Sequence, residues 1–188
     1  MQEKPYLFLD FDRTLFDTEQ YYRWLGEPRK QRNQELIDGT RPLPDFSQFL
    51  FPDAVTFLES VKEKFTLVVL SFVQLDYSPD QTTLQRKKIA GTNIEKYFAE
   101  IIVTTNRKGK EGMDYLVQNG DVTRPCYFID DDPLHLSDMK THVPSTVCIL
   151  IDRVEQNTGI EIGALDKEYL PDKTVHSLSE AAKVLLDI

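Results

Sequence analysis

Short apolar runs alternate with amphipathic stretches along most of this chain. The runs are Tyr6-Leu7-Phe8-Leu9, Thr66 to Leu70, Ile101-Ile102-Val103, Cys126-Tyr127-Phe128-Ile129 and Val147 to Ile151. None shows the one-in-two polar pattern of a strand with a wet face. Continuous runs of this length belong to strands buried on both sides, as in a parallel sheet covered by helices. Between them, Ala54, Phe57, Leu58 and Val61 follow Pro52 at i, i+3, i+4, i+7 and predict a helix. Asp80 to Ala90 reads as another helix. Met113, Leu116 and Val117 mark one that stops at Asn119-Gly120, and a further one starts near Leu134. Ser177 with Glu180 caps a last helix that buries Leu178, Ala181, Ala182 and Leu185. The pattern predicts an α/β fold, a doubly wound, mostly parallel sheet with right-handed crossovers.

Two stretches fall outside this repeat. Residues 16–51 read as a small helical insertion between the first strand and the helix leading to the second. Asp17 with Gln20 caps its first helix, Pro28 opens a polar helical stretch ending at Asp38-Gly39, and Thr40 to Pro52 reads as extended. Residues 153–173 form a long polar connection. At 188 residues the chain suits a single domain, 1–188, with 16–51 inserted in it.

A formal net charge of -9 argues against nucleic acid or an anionic membrane as a partner, since both demand a basic surface. A small phosphorylated substrate held by a few local cations stays compatible with it. No apolar stretch approaches the length of a membrane span, and Met1 to Pro5 runs straight into a strand, without a signal peptide. Cys126 and Cys148, both in expected strands, read as free buried thiols of a reducing compartment, so the cytoplasm is the expected location.

The ends of three strands carry the candidate chemistry. Asp10-Phe11-Asp12-Arg13-Thr14 follows the first run, Ser71 closes the second, and Asp130-Asp131-Asp132 closes the fourth. In open α/β sheets the ligand crevice lies beyond the carboxyl ends of the strands. Carboxylates gathered there repel one another unless a cation sits among them, so the pattern calls for a metal.

Asp10-x-Asp12-x-Thr14, Ser71, a downstream lysine and Asp130-Asp131 resemble, in chain order, the four motifs of the haloacid dehalogenase (HAD) superfamily in its phosphatase branch. The resemblance spans roughly residues 5–152 and implies the following roles. Asp10 is the nucleophile that forms an aspartyl-phosphate, and Asp12 the general acid and base. Thr14 holds their loop by hydrogen bonds. Ser71 and a lysine bind the phosphoryl group. Lys110 fits the family spacing better because it stands directly before the expected helix, with Lys108 as the alternative. Mg²⁺ is held by the Asp10 side chain, the Asp12 carbonyl and Asp131, while Asp130 orients the lysine and Asp132 caps a helix.

An aspartate at position 12 is absent from the dehalogenases and cation-pumping ATPases of the superfamily. The resemblance therefore implies a Mg²⁺-dependent phosphatase, with a phosphomutase or a non-catalytic regulatory protein as alternatives. A receiver-like switch fits poorly, because its phospho-acceptor lies in a later strand. Specificity is expected in 16–51, whose aromatics Tyr21, Tyr22, Trp24, Phe46, Phe49 and Phe51 read mainly as packing. Arg23, Arg29, Lys30, Arg32 and Arg41 read mainly as a solvated face. His135, His142 and His176 show no ligand spacing and read as structural or solvated.

Overall fold

The computed structural model describes residues 3–74, 81–153 and 171–187. Six parallel strands form one sheet: β1 (Tyr6–Leu9), β2 (Thr66–Phe72), β3 (Glu100–Thr104), β4 (Cys126–Asp130), β5 (Val147–Ile151) and β6 (Lys173–Val175). Their order is β3-β2-β1-β4-β5-β6. The chain winds outward from β1 through β2 to β3, then returns to β4 on the other side of β1. That reversal leaves a crevice at the carboxyl ends of β1 and β4, where no crossover closes the sheet.

The apolar runs divide between two cores by the two-residue period of a strand. From β1, Leu7 and Leu9 join Val69, Ile129 and Ile149 in one core, while Tyr6 and Phe8 join Val68, Leu70 and Phe128 in the other. The first core is covered by α3 (Ala54–Val61) and α7 (Leu178–Leu186), which pack on each other. The second is covered by α5 (Lys108–Gln118) and α6 (Pro133–His142). Burial on both faces explains why the strands carry no polar alternation. Cys126 and Cys148 are buried free thiols. Among the described residues, no helix is long and apolar enough to cross a membrane.

The 16–51 segment contains α1 (Thr18–Leu25) and α2 (Arg29–Ile37), and Asp17 caps α1 by accepting from the Gln20 N–H. The expected extended stretch 40–52 includes a 3₁₀ turn, Phe46–Phe49, whose two phenylalanines are buried. The segment returns to its starting point: Phe16 bridges Leu50, Asp17 N–H donates to the Phe49 carbonyl at 2.7 Å, and Phe51 N–H donates to Leu15 at 3.0 Å. Tyr21 and Phe49 pack against Phe16, Phe46 packs against Tyr21, and all are buried, as expected of packing aromatics. Arg29 and Arg41 lie over the rings of Tyr22 and Trp24.

Helix α4 spans Gln81–Gly91, and the Asp80 expected to begin it lies outside the described residues. Most of the polar connection 153–173 also lies outside them. Strand β6 was not legible: three residues, two of them exposed and polar, carry no strand pattern.

The packing of α5 on α6 is unusually close at Gly109. A Cβ placed there would fall 2.2 Å from the Asp138 carbonyl oxygen, and the Gly109 N–H donates to the Asp138 carboxylate at 2.6 Å. Gly109→Ala must push the helices apart, and overpacking of that kind costs about 1–3 kcal/mol. Urea unfolding should report a loss in that range; an unchanged midpoint would show that α5 does not depend on this contact.

Candidate active site

Strand pairing builds the centre of the site. Leu9 of β1 is in register with Ile129 of β4, so the next residues, Asp10 and Asp130, emerge side by side into the crevice. The Asp10 N–H donates to the Ile129 carbonyl at 3.0 Å. Beyond Asp10 the chain turns sharply: Arg13 adopts φ 61, its N–H donates to the Phe16 carbonyl at 2.7 Å, and Leu15 and Phe16 both donate to Phe11. This turn places Asp12 two residues past the strand, over the same crevice.

Lys108 occupies the heart of the cluster. It is 1% exposed, and its Nζ donates to Asp10 Oδ1 at 2.5 Å and to Asp130 Oδ2 at 2.7 Å. Lys110 does not reach the site. It is exposed and pairs with Asp114, one turn along α5. The expectation for Lys110 is thus corrected in favour of Lys108, and the reason is where the helix begins. Arg107 precedes its first turn and Lys108 is its first residue, five before Met113. At about 100° per residue, a position two further on faces nearly the opposite way.

Asp130 is fully buried and takes further bonds: its Oδ1 accepts from the Asp132 N–H at 2.9 Å, and His135 Nδ1 lies 3.4 Å from its Oδ2. Asp132 caps α6 by accepting from Leu134 N–H, as expected. Asp131 faces the cavity that Asp10, Asp12 and Lys108 also line, a space of 520 Å³ reaching Tyr21, Tyr22 and Asn33 of the 16–51 segment. Ser71, near the end of β2, is buried, and its Oγ accepts from Gln85 Nε2 at 2.9 Å. Among the described residues the buried Thr14 hydroxyl has no hydrogen-bond partner and does not tie the loop as expected; the Thr14 carbonyl accepts from Arg153 instead. Backbone bonds within the turn do that work.

Three residues went unrecognised in the sequence. Gln85 and Lys88 of α4 reach Asp12, with Lys88 Nζ 2.5 Å from Oδ1 and Gln85 Nε2 2.5 Å from Oδ2. Their signal was present: each stands four residues from an apolar core position, Leu84 or Ile89, so both lie on the buried stripe of a helix. His135 was expected to be structural or solvated, yet it lines the cavity beside Asp130. Its sequence context carries no ligand spacing.

Oxygens of Asp10, Asp130 and Asp131 approach within 4.8 Å of one another. Burial, with the charge of Asp130 added and Lys108 opposing, raises the Asp10 carboxyl to about 7. Burial and the charges of Asp10 and Asp130 push Asp131 to about 9. Burial opposes the charge of Asp130 too, but Lys108 and His135 outweigh it and hold that carboxyl below the usual range. Burial likewise works against Lys108, yet Asp10 and Asp130 raise it above the ordinary lysine value. Asp10 Oδ2 is buried and has no hydrogen-bond partner among the described residues. An orphaned carboxylate oxygen, a neighbouring carboxyl that resists ionisation and an all-oxygen donor set fit a hard divalent cation such as Mg²⁺.

This electrostatic balance has a pH signature. Carboxyls whose folded pKa is raised stabilise the fold fully below their unfolded value of about 3.9 and lose that contribution as pH rises through the folded values. For Asp10 and Asp131 the loss therefore spans the interval from there to about 7 and about 9. A bound divalent cation favours the ionised forms, so Mg²⁺ should raise the melting temperature more at about pH 8.5 than at about pH 5.5. Equal shifts at both would remove the cluster as the cation's site.

No family profile matches the chain, and no curated protein does. Solved structures resemble it over nearly its whole length. A haloacid dehalogenase-like hydrolase of Burkholderia xenovorans superposes with a TM-score of 0.65 at 16% identity, covering 98% of each chain. The HAD-hydrolase YfnB of Bacillus subtilis, bound to magnesium, gives 0.64 at 12% identity, covering 98% of this chain and 99% of its own. The L-2-haloacid dehalogenase of Xanthobacter autotrophicus gives 0.58 at 15% identity, covering 99% and 100%. The chain thus has the fold of the haloacid dehalogenase-like hydrolases.

Proposed function

We propose that this protein is a Mg²⁺-dependent phosphatase of the HAD superfamily, hydrolysing a small phosphate monoester in the cytoplasm through an aspartyl-phosphate on Asp10. One observation carries the reading: Asp10, Asp12, Lys108 and Asp131 line a single cavity, with the carboxylate of Asp12 separate from the Asp10–Asp130–Asp131 cluster. The cluster accounts for a cation; Asp12 accounts for proton transfer, which a dehalogenase does not need at that position. In this reading residues 16–51 are a small cap over the crevice, presenting Tyr21, Tyr22 and Asn33 to the substrate.

The Asp10 and Asp131 side chains and the Asp12 carbonyl would hold Mg²⁺, which supplies charge neutralisation to the phosphoryl oxygens. Lys108 adds a buried positive charge beside Asp10, and Ser71 a hydroxyl for a phosphoryl oxygen. An Asp10 oxygen attacks phosphorus, the bond to the leaving oxygen breaks, and Asp12 delivers a proton to that oxygen. Water then attacks the phosphorus of the aspartyl-phosphate, giving its proton to Asp12, and the Asp10 carboxylate is released with the electron pair of the broken bond.

The test uses leaving groups of different basicity. Purified protein with Mg²⁺ should hydrolyse both p-nitrophenyl phosphate and a simple alkyl phosphate. Asp12→Ala should lose about 10²–10⁴-fold with the alkyl ester, which leaves as a strong base needing a proton, and much less in the step that expels p-nitrophenolate. Equal losses in that bond-breaking step would remove Asp12 as the proton donor.

A further inference from the structure

Asp12 is gripped by more donors than a carboxylate on a turn requires. Lys88 and the Thr18 hydroxyl both donate to its Oδ1, at 2.5 and 2.8 Å, and Gln85 Nε2 donates to its Oδ2. Lys88 is 6% exposed, and its Nζ otherwise meets the Gln85 amide oxygen at 3.0 Å and the ring faces of Phe16, Tyr21 and Phe11 at 4.7 to 5.6 Å. Among the described residues Asp12 is the one carboxylate it bonds. A buried ammonium is costly unless it is paired, so the fold commits this cation to Asp12. Gln85 does a second thing: the amide that binds Asp12 also donates to Ser71 Oγ. One helix face thereby ties together the group proposed to move the proton and the hydroxyl proposed to hold the phosphate.

We propose that Lys88 and Gln85 are positioning residues for Asp12, setting its carboxylate to take the proton of the water that hydrolyses the phospho-enzyme. The proposal rests on the phosphatase reading above. In that step the water oxygen bonds to phosphorus, the bond from phosphorus to the Asp10 oxygen breaks with its electrons returning to Asp10, and the water proton passes to Asp12. The two residues touch neither water nor phosphate in this scheme. They fix both oxygens of the base, so that no reorientation is needed when the water attacks.

The variants Lys88→Met and Gln85→Met keep the size of each side chain and remove its bonds to Asp12. With p-nitrophenyl phosphate, Asp10 is phosphorylated without assistance from a proton donor, because p-nitrophenolate leaves as the anion. Lys88→Met should therefore show a rapid burst of nearly one p-nitrophenolate per chain, then turnover slowed about 10²-fold, with the phospho-enzyme accumulating in acid-quenched samples. Gln85→Met should show the same order of events with a smaller loss, and it carries the test if Lys88→Met does not fold.

A folded variant whose burst and turnover match the wild type overturns the proposal. So does one in which the burst rate falls as much as the turnover, since the pair would then serve phosphorylation of Asp10. Crystal structures of the variants give a reading independent of turnover: Asp12 should leave its bond to Thr18, and an unmoved carboxylate overturns positioning. If the wild type releases no p-nitrophenolate while Asp12 moves in the variants, it is the phosphatase reading that has failed and the positioning that stands.

Discussion

Asp10→Asn should fold and bind Mg²⁺ weakly or not at all, and its turnover of phosphate monoesters should fall by at least about 10³-fold, as loss of a covalent nucleophile requires. The amide has the shape of the carboxyl, and its oxygen can still accept from Lys108, which lies 2.5 Å from Asp10 Oδ1. Nothing in the core is disturbed, so the melting curve should stay cooperative. An amide cannot attack phosphorus, and the carboxylate beside it on β4, Asp130, is enclosed by Lys108, His135 and the Asp132 N–H. Steady-state assay of the variant beside the wild type decides the matter, and comparable rates would dismiss Asp10 as nucleophile.

The second large effect separates two lysines that stand two residues apart. Lys108→Met leaves Asp10 and Asp130 buried without their cation. Breaking a buried pair by removing one partner costs about 3–5 kcal/mol, far more than the pair itself contributes against an apolar replacement. Stability in urea without added divalent cation should fall by that amount, and activity should fall with it because the charge beside the proposed nucleophile is lost. Lys110→Met removes an exposed, solvent-screened pair with Asp114 and should leave the urea midpoint essentially unchanged, with activity retained. The reverse result, a silent Lys108→Met and a damaging Lys110→Met, would mean that α5 starts elsewhere than the structure places it.

That pair of lysines also shows what a sequence can and cannot carry. Asp10, Ser71 and Asp130 were legible because each ends an apolar run, and the run reports a buried strand whose end must face the crevice. The choice between Lys108 and Lys110 depends on the first turn of α5. The Arg107 side chain makes no cap bond, so the usual capping signature is missing there. The first turn is held by bonds from Thr104 and Asn106 to Glu111 and by the approach of Gly109 to Asp138, a contact across 29 residues of sequence. Gln85 and Lys88 are passed over for a different reason: their spacing from Ile89 and Leu84 does put them on the buried stripe of α4, but a glutamine and a lysine on a helix are ordinarily solvated. The Thr14 hydroxyl fails in the opposite direction: the motif suggested a hydrogen-bonding role, yet the turn is already closed by the bonds of Arg13, Leu15 and Phe16.

The seat of phosphorylation is the point on which the account turns, and rapid quenching reads it directly. Enzyme mixed with Mg²⁺ and a radiolabelled phosphate monoester, stopped in acid within one turnover and digested, should yield a single labelled peptide carrying the phosphoryl group on Asp10, released by hydroxylamine as an acyl phosphate must be. Phosphate appearing at the full rate with no labelled peptide, or label found on any other side chain, would contradict it.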